Sequence, residues 1–164
     1  MSLHFTINRC EVCGNKNLFP MLDLGKSPLC DDLIRIGSKK KNTNYKIKIL
    51  FCKVCFTAHQ KYQIKKKNLF PLNYHYRARF TEDVIKGMHG VVKDSLYCLG
   101  SLKNKTVLDV GCNDGSLLDI FKKNNAITIG IEPTNACRDA KHKGHKIYNN
   151  FIDSNIIDEI KKKF

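Results

Sequence analysis

The chain has 164 residues, 42% of them hydrophobic, and carries a formal net charge of +14. That length holds one ordinary domain, or a small module plus part of another, and the hydrophobic fraction argues against disorder. No apolar run approaches the roughly 18–20 residues of a membrane span, and the opening MSLHFTINRC lacks the apolar core of a secretory signal, so the expectation is a cytoplasmic protein with no membrane partner. The positive charge is mostly lysine in short runs (Lys39 to Lys41, Lys65 to Lys67, Lys161 to Lys163), with only five arginines. Arginine is the better reader of phosphate and base edges, so a solvated lysine surface is favoured over a nucleic-acid footprint. Eight cysteines without a secretory signal argue against a disulfide scaffold.

Residues 1–60 read as the first unit. Cys10-Glu11-Val12-Cys13-Gly14 and Cys52-Lys53-Val54-Cys55 are two tight cysteine pairs with 38 residues between Cys13 and Cys52. Each pair places two thiolates on one side of a metal, and two pairs complete a tetrahedral set. Structural zinc is therefore expected at Cys10, Cys13, Cys52 and Cys55; a redox role would need only one pair. Gly14 suits the tight turn in which amides fold back toward sulfur. A closed site of four thiolates has no open position, so its work is folding rather than catalysis. Tyr45 to Phe51 alternates like a half-buried strand leading into the second pair, and Asp23-Leu24-Gly25-Lys26-Ser27-Pro28 reads as a turn. The other cysteines, Cys30, Cys98, Cys112 and Cys137, are taken as small buried apolar residues.

Residues 61–100 form an aromatic connector and a helix. Leu69 to Phe80 mixes aromatic and basic residues without a clean period. It reads as a packed linker, as a lid presenting Tyr and His groups, or as a stacking platform for single-stranded nucleic acid. Thr81 is a plausible N-cap with Glu82 and Asp83 in the first turn. Val84, Ile85, Met88, Val91, Val92, Leu96 and Leu99 then recur at helical spacing up to a stop at Gly100.

Residues 101–164 alternate strand and helix. Strands are expected at about 106–110, 126–131 and 145–148, and helices at about 116–124, 135–143 and 155–163. The order β-α-β-α-β-α is that of a parallel doubly wound sheet. The first strand runs into a glycine-bearing turn within TVLDVGCNDGSLL, Thr106 to Leu118. Asp109-x-Gly111-x-Asn113-x-Gly115 is an acidic-glycine fingerprint with only two glycines, and Glu132 closes the second strand 21 residues after Gly111. A carboxylate there can accept hydrogen bonds from the ribose hydroxyls of an adenosine ligand. Asn113 fills the middle glycine position and Asp114 adds negative charge, which suits a cationic sulfonium better than a pyrophosphate. S-adenosylmethionine (SAM) is favoured over NAD(P).

Four stretches together resemble the N-terminal part of the zinc-containing, SAM-dependent sugar C-methyltransferases, which act on nucleotide-linked keto-deoxysugars. They are Cys10-x-x-Cys13-Gly14 with Leu22-Asp23-Leu24-Gly25-x-x-Pro28-Leu29; Cys52-x-x-Cys55; Leu69-Phe70 with Tyr74-x-Tyr76; and Val110 to Gly115 followed by Gly130-Ile131-Glu132-Pro133. The resemblance implies an α/β fold: a small zinc-binding module, then the first half of a Rossmann-like methyltransferase sheet. It implies SAM and structural zinc as cofactors and a nucleotide sugar as substrate. A base takes the proton next to the keto group, and the enolate attacks the sulfonium methyl. Asp109, Gly111, Asn113 and Gly115 would shape the methionine end of the SAM pocket, Glu132 would hold the ribose, and Asn150 and Phe151 would border the adenine. Tyr74 and Tyr76 would face the substrate, with the Tyr76 phenol placed to donate to an oxygen where charge develops.

Three departures from the family pattern stand out. His59 holds a place where the family commonly has Gln. Arg77 and Arg79 stand where small hydroxyl residues are common. The sequence stops at Phe164, before the strands that should flank strand one and before the usual catalytic base. The expectation is therefore a truncated form, inactive alone and weak in SAM binding, or one completed by a second polypeptide. A zinc-containing nucleic-acid methyltransferase or binding module is the alternative.

Overall fold

The computed structural model describes residues 4–30 and 32–163. Met1 to Leu3 of the opening segment and the final Phe164 lie outside the described residues. The chain divides into two compact units, Met1–Leu69 and Phe70–Phe164.

The first unit is antiparallel. β1 (His4–Thr6) pairs with β5 (Tyr62–Ile64), and a three-stranded sheet runs β2-β3-β4, with β2 at Leu18–Ser27, β3 at Tyr45–Cys52 and β4 at Ala58–Gln60. A single helical turn, α1 (Lys66–Leu69), closes the unit. β3 is the alternating segment of the sequence and ends in the second cysteine pair. Asp23 to Ser27, expected as a turn, lies inside β2 instead. The register slips between Asp23 and Lys26. Gly25 there has φ +74°, and its amide is held by Asp23 Oδ1 at 3.0 Å. The glycine and aspartate signal a bulge rather than a reversal, because β3 continues to pair on both sides of it.

The second unit opens with an irregular stretch and one 3-10 turn (Ala78–Phe80) before α2 (Glu82–Leu99), which Gly100 ends in the left-handed region at φ +69°. There follow β6 (Thr106–Val110), α3 (Ser116–Lys123), β7 (Ile127–Ile131), α4 (Cys137–His142), β8 (Lys146–Tyr148) and α5 (Ser154–Lys163). The strands form one parallel sheet in the order β6-β7-β8. On one face Val92, Leu102, Ile120, Phe121 and Ala126 cluster with Val107 and Leu117. On the other, Ile129 and Ile131 pack against Ile156 and Ile160 of α5. Helices thus pack on both faces, but on the second face they cover β7 and leave Leu108 and Val110 of β6 exposed. The arrangement is a partial Rossmann-like fold, and the outer edge of β6 has no strand partner among the described residues. No helix among them is long and apolar enough to cross a membrane.

Candidate functional site

The two cysteine pairs converge. The four sulfurs of Cys10, Cys13, Cys52 and Cys55 all lie within 4.8 Å of one another. Cys10 and Cys55 are 3.4 Å apart, and Cys13 and Cys52 3.6 Å. Zinc–sulfur bonds of about 2.3 Å in a tetrahedron require sulfurs about 3.8 Å apart, so the set fits zinc. The 38-residue gap is filled by β2 and β3, which deliver the second pair beside the first. The Asn15 side-chain amide, 3.5 Å from Cys52 Sγ, is the largest influence pulling that thiol down to about 6. At Cys13 the Asn15 backbone bond pulls down too, but burial and the three neighbouring sulfurs push the thiol up to about 12. A divalent cation binds such a set as thiolates and displaces any thiol protons. His59, buried on β4, places Nε2 3.2 Å from Cys10 Sγ and Nδ1 3.9 Å from Glu11. A ring at that distance from a metal-binding sulfur orients the ligand rather than replacing it.

In the second unit the turn after β6 is built on Ile131. Its carbonyl accepts from Gly111 N at 2.7 Å and from Cys112 N at 3.2 Å. Gly111 has φ +84° and open space where a Cβ would stand, leaving bare backbone at the strand end. Gly115 serves packing: at φ +76°, a Cβ there would lie 2.9 Å from Ala140 Cβ and 3.0 Å from His145 Cδ2. Gly130 is equally constrained, since a Cβ would sit 2.5 Å from Cys112 Sγ. Glu132 is buried, and its carboxylate is pinned. Oε1 accepts from Thr134 N and Oγ1 at 2.9 and 2.6 Å, and Oε2 accepts from Asn113 N at 3.0 Å. Burial, and then the charge of Glu132, pushes Asp109 above the usual carboxylate range. The register thus sets two carboxylates at neighbouring strand ends, Asp109 opposite Gly130 and Glu132 just after β7. Cys112 beside them is pushed up to about 12, first by burial and then by both acids, so it stays a neutral thiol.

Not every expected residue faces this opening. Asp114, whose charge the sequence reading aimed at a ligand, is completely buried. Its Oδ1 caps α3 through Ser116 N and Oγ, and its Oδ2 accepts from the backbone and side chain of Arg79. The Asn113 side chain is likewise engaged, accepting from Ala78 N and donating to the Tyr76 carbonyl. Tyr74 and Tyr76 lie edge to face, 6.4 Å between ring centroids. Asn150 is exposed after β8 with Phe151 half-buried beside it, and Asn150 Oδ1 accepts from Phe151 N. Cys30 and Cys98 are exposed, against expectation, because one lies in an irregular stretch and the other on the solvent side of α2; Cys112 and Cys137 are buried. Sequence spacing gave no signal for Thr134, Asn135 or Asp139, which reach the turn or the connector only through the packed fold.

Comparison with known proteins matches residues 10–70 to the family described as "Putative zinc binding domain". The chain is also 24% identical over 130 residues to the C-methyltransferase NovU of Streptomyces niveus, a match covering 77% of this chain and 30% of that protein. The chain is thus similar to that zinc-binding domain over residues 10–70 and to the C-methyltransferase over 130 residues. The first match falls on the zinc cluster and the sheet that builds it. The chain spans about 30% of the length of the curated relative it matches.

Proposed function

We propose that this chain carries the SAM-binding part of a C-methyltransferase whose acceptor is a carbon of a nucleotide-linked keto-deoxysugar. One observation carries the cofactor assignment: Asp109, next to the last residue of β6, and Glu132, directly after β7, put two carboxylates at the ends of neighbouring parallel strands, beside the bare backbone of Gly111. Negative charge there opposes a pyrophosphate and favours a ligand bearing cationic amino and sulfonium groups. Glu132 Oε2 accepts one internal bond and keeps capacity for a ribose hydroxyl. SAM, when bound, supplies an electrophilic methyl group on a sulfonium.

The residues of this chain have separate tasks in that reading. Thr134 and the Asn113 amide hold the Glu132 carboxylate fixed, so a ligand meets an acceptor that is already oriented. Asp109 answers the positive end of the ligand. The Tyr76 phenol donates to the acceptor oxygen as negative charge builds on it. The zinc centre contributes folding alone. The keto-deoxysugar rests on the resemblance of the Leu69-Phe70 and Tyr74-x-Tyr76 stretches.

Calorimetric titration with SAM and with NAD+ tests this. SAM binding, with Glu132→Gln weakening it about tenfold or more, a loss of about 1.4 kcal/mol, is expected. Preference for NAD+, or SAM affinity indifferent to Glu132, would overturn the assignment.

A further inference from the structure

The connector between residues 70 and 80 is tied to the cofactor turn by a dense polar network, and two arginines foreign to the family pattern are at its centre. Arg77, largely buried, makes four bonds. Nε meets Asp139 Oδ2 at 2.9 Å, and Nη2 meets Asn135 Oδ1 at 3.0 Å. Nη1 donates to the Tyr74 carbonyl at 2.6 Å and to the Tyr76 carbonyl at 2.8 Å. The guanidinium therefore clamps the backbone carbonyls of both tyrosines to α4 and the residues just before it. Arg79 reinforces the same tie. Its Nη1 reaches the same Asp139 oxygen at 2.7 Å and the buried Asp114 at 3.3 Å, and its amide donates to Asp114 Oδ2 at 3.2 Å.

Asn113 closes the network from the turn itself. At φ +50° it adopts the left-handed conformation that asparagine tolerates. Its amide donates to Glu132, its Oδ1 accepts from Ala78 N at 3.0 Å, and its Nδ2 donates to the Tyr76 carbonyl at 3.2 Å. One residue of the turn thus touches both the proposed ribose carboxylate and the backbone of Tyr76. A backbone bond from Asn135 N to the Leu72 carbonyl at 2.8 Å secures the upstream end. Arginine suits this work because its planar fork serves two carbonyls and a carboxylate at once, which an ammonium cannot do.

We propose that Arg77 and Arg79 are positioning residues that, through Asp139, Asp114 and Asn113, fix the backbone of Tyr76 to the cofactor turn, so that ligand binding at the turn and placement of the Tyr76 side chain are a single event. This rests on the reading of the turn as a SAM site.

The test uses the full chain labelled with 3-fluorotyrosine, with the Tyr74 and Tyr76 fluorine resonances assigned by Tyr→Phe variants. Saturating SAM is expected to shift the Tyr76 resonance in the unaltered chain. In Arg77→Lys, which keeps the charge opposite Asp139 but loses the fork, the Tyr76 shift is expected to disappear while SAM affinity by calorimetry falls less than about tenfold. Arg79→Gln, which removes the ion pairs to Asp139 and Asp114, is expected to do the same. A wild-type Tyr76 response in both variants would overturn the proposal. If SAM does not bind the unaltered chain, the cofactor reading fails instead. The strap is then judged ligand-free: a Tyr76 line narrowed by mobility in Arg77→Lys supports it, and an unchanged line overturns it.

Discussion

The two units of this chain solve the problem of stability in opposite ways. In the first, the buried hydrophobic residues among those described are Ile7, Cys10, Leu50 and Cys52, two of which are metal-binding cysteines, while Val12, Met21, Leu24, Val54 and Phe56 are exposed. In the second, three apolar clusters line both faces of the sheet. A module with so little core needs a metal or another covalent-strength tie, whereas a sheet with apolar clusters packed on each face draws on burial. The same chain thus places a metal-dependent fold beside a packing-dependent one.

Removing the metal breaks that comparison most sharply. Chelation at neutral pH, or Cys52→Ser, is expected to abolish the cooperative fold of residues 4–69 while the amide spectrum of the second unit persists; zinc content and a nitrogen–proton correlation spectrum report both. Retention of the antiparallel sheet without zinc would show that the small core suffices. The converse is Leu118→Ala. Leu118 is completely buried against Cys112 and Ala140, so its truncation should cost about 2–5 kcal/mol in denaturant unfolding of the second unit, with one zinc still bound.

Acid separates the units more gently. His145 bonds Thr128 through Nδ1 at 2.8 Å and Asp119 through Nε2 at 2.9 Å. Burial holds its imidazole below the ordinary range despite the Asp119 bond. Because the folded pKa is depressed, this contribution is intact above about pH 6.5 and is lost as pH falls through the folded value. The melting temperature of the second unit should decline across that window, and His145→Gln should flatten the decline. The smallest expected effect is at the surface. Lys86 pairs with Glu82 at 3.0 Å on exposed α2, and Lys86→Ala should change stability by about 0.5 kcal/mol or less. A larger loss would mean that α2 depends on charge as well as on its apolar stripe.

Periodic and local features were legible in the sequence. The alternation of Tyr45 to Phe51, the helical spacing from Val84 to Leu99 and the β-α alternation after Thr106 each report one face of one element, and the structure holds each within a residue or two. The bulge at Gly25 was misread because a glycine after an aspartate has the same local signature in a turn and in a strand whose partner runs on past it. The charge of Asp114 was misplaced for a related reason: a residue two positions from a helix start can face a ligand or cap the helix, and the choice belongs to Ser116 and Arg79.

The sequence by itself determined the paired thiols, the order of strands and helices after Thr106, and the glycine and acid positions of the turn, because those depend on neighbours a few residues away. Only the tertiary structure decided which carboxylates meet. Asp109 and Glu132 come to the ends of neighbouring parallel strands, whereas Asp114 and Asp139 are neutralised by Arg79 and Arg77 across roughly 35 to 60 residues of chain. No spacing rule links positions so far apart: their contact exists only once β6 and β7 pair and α4 packs beside the turn.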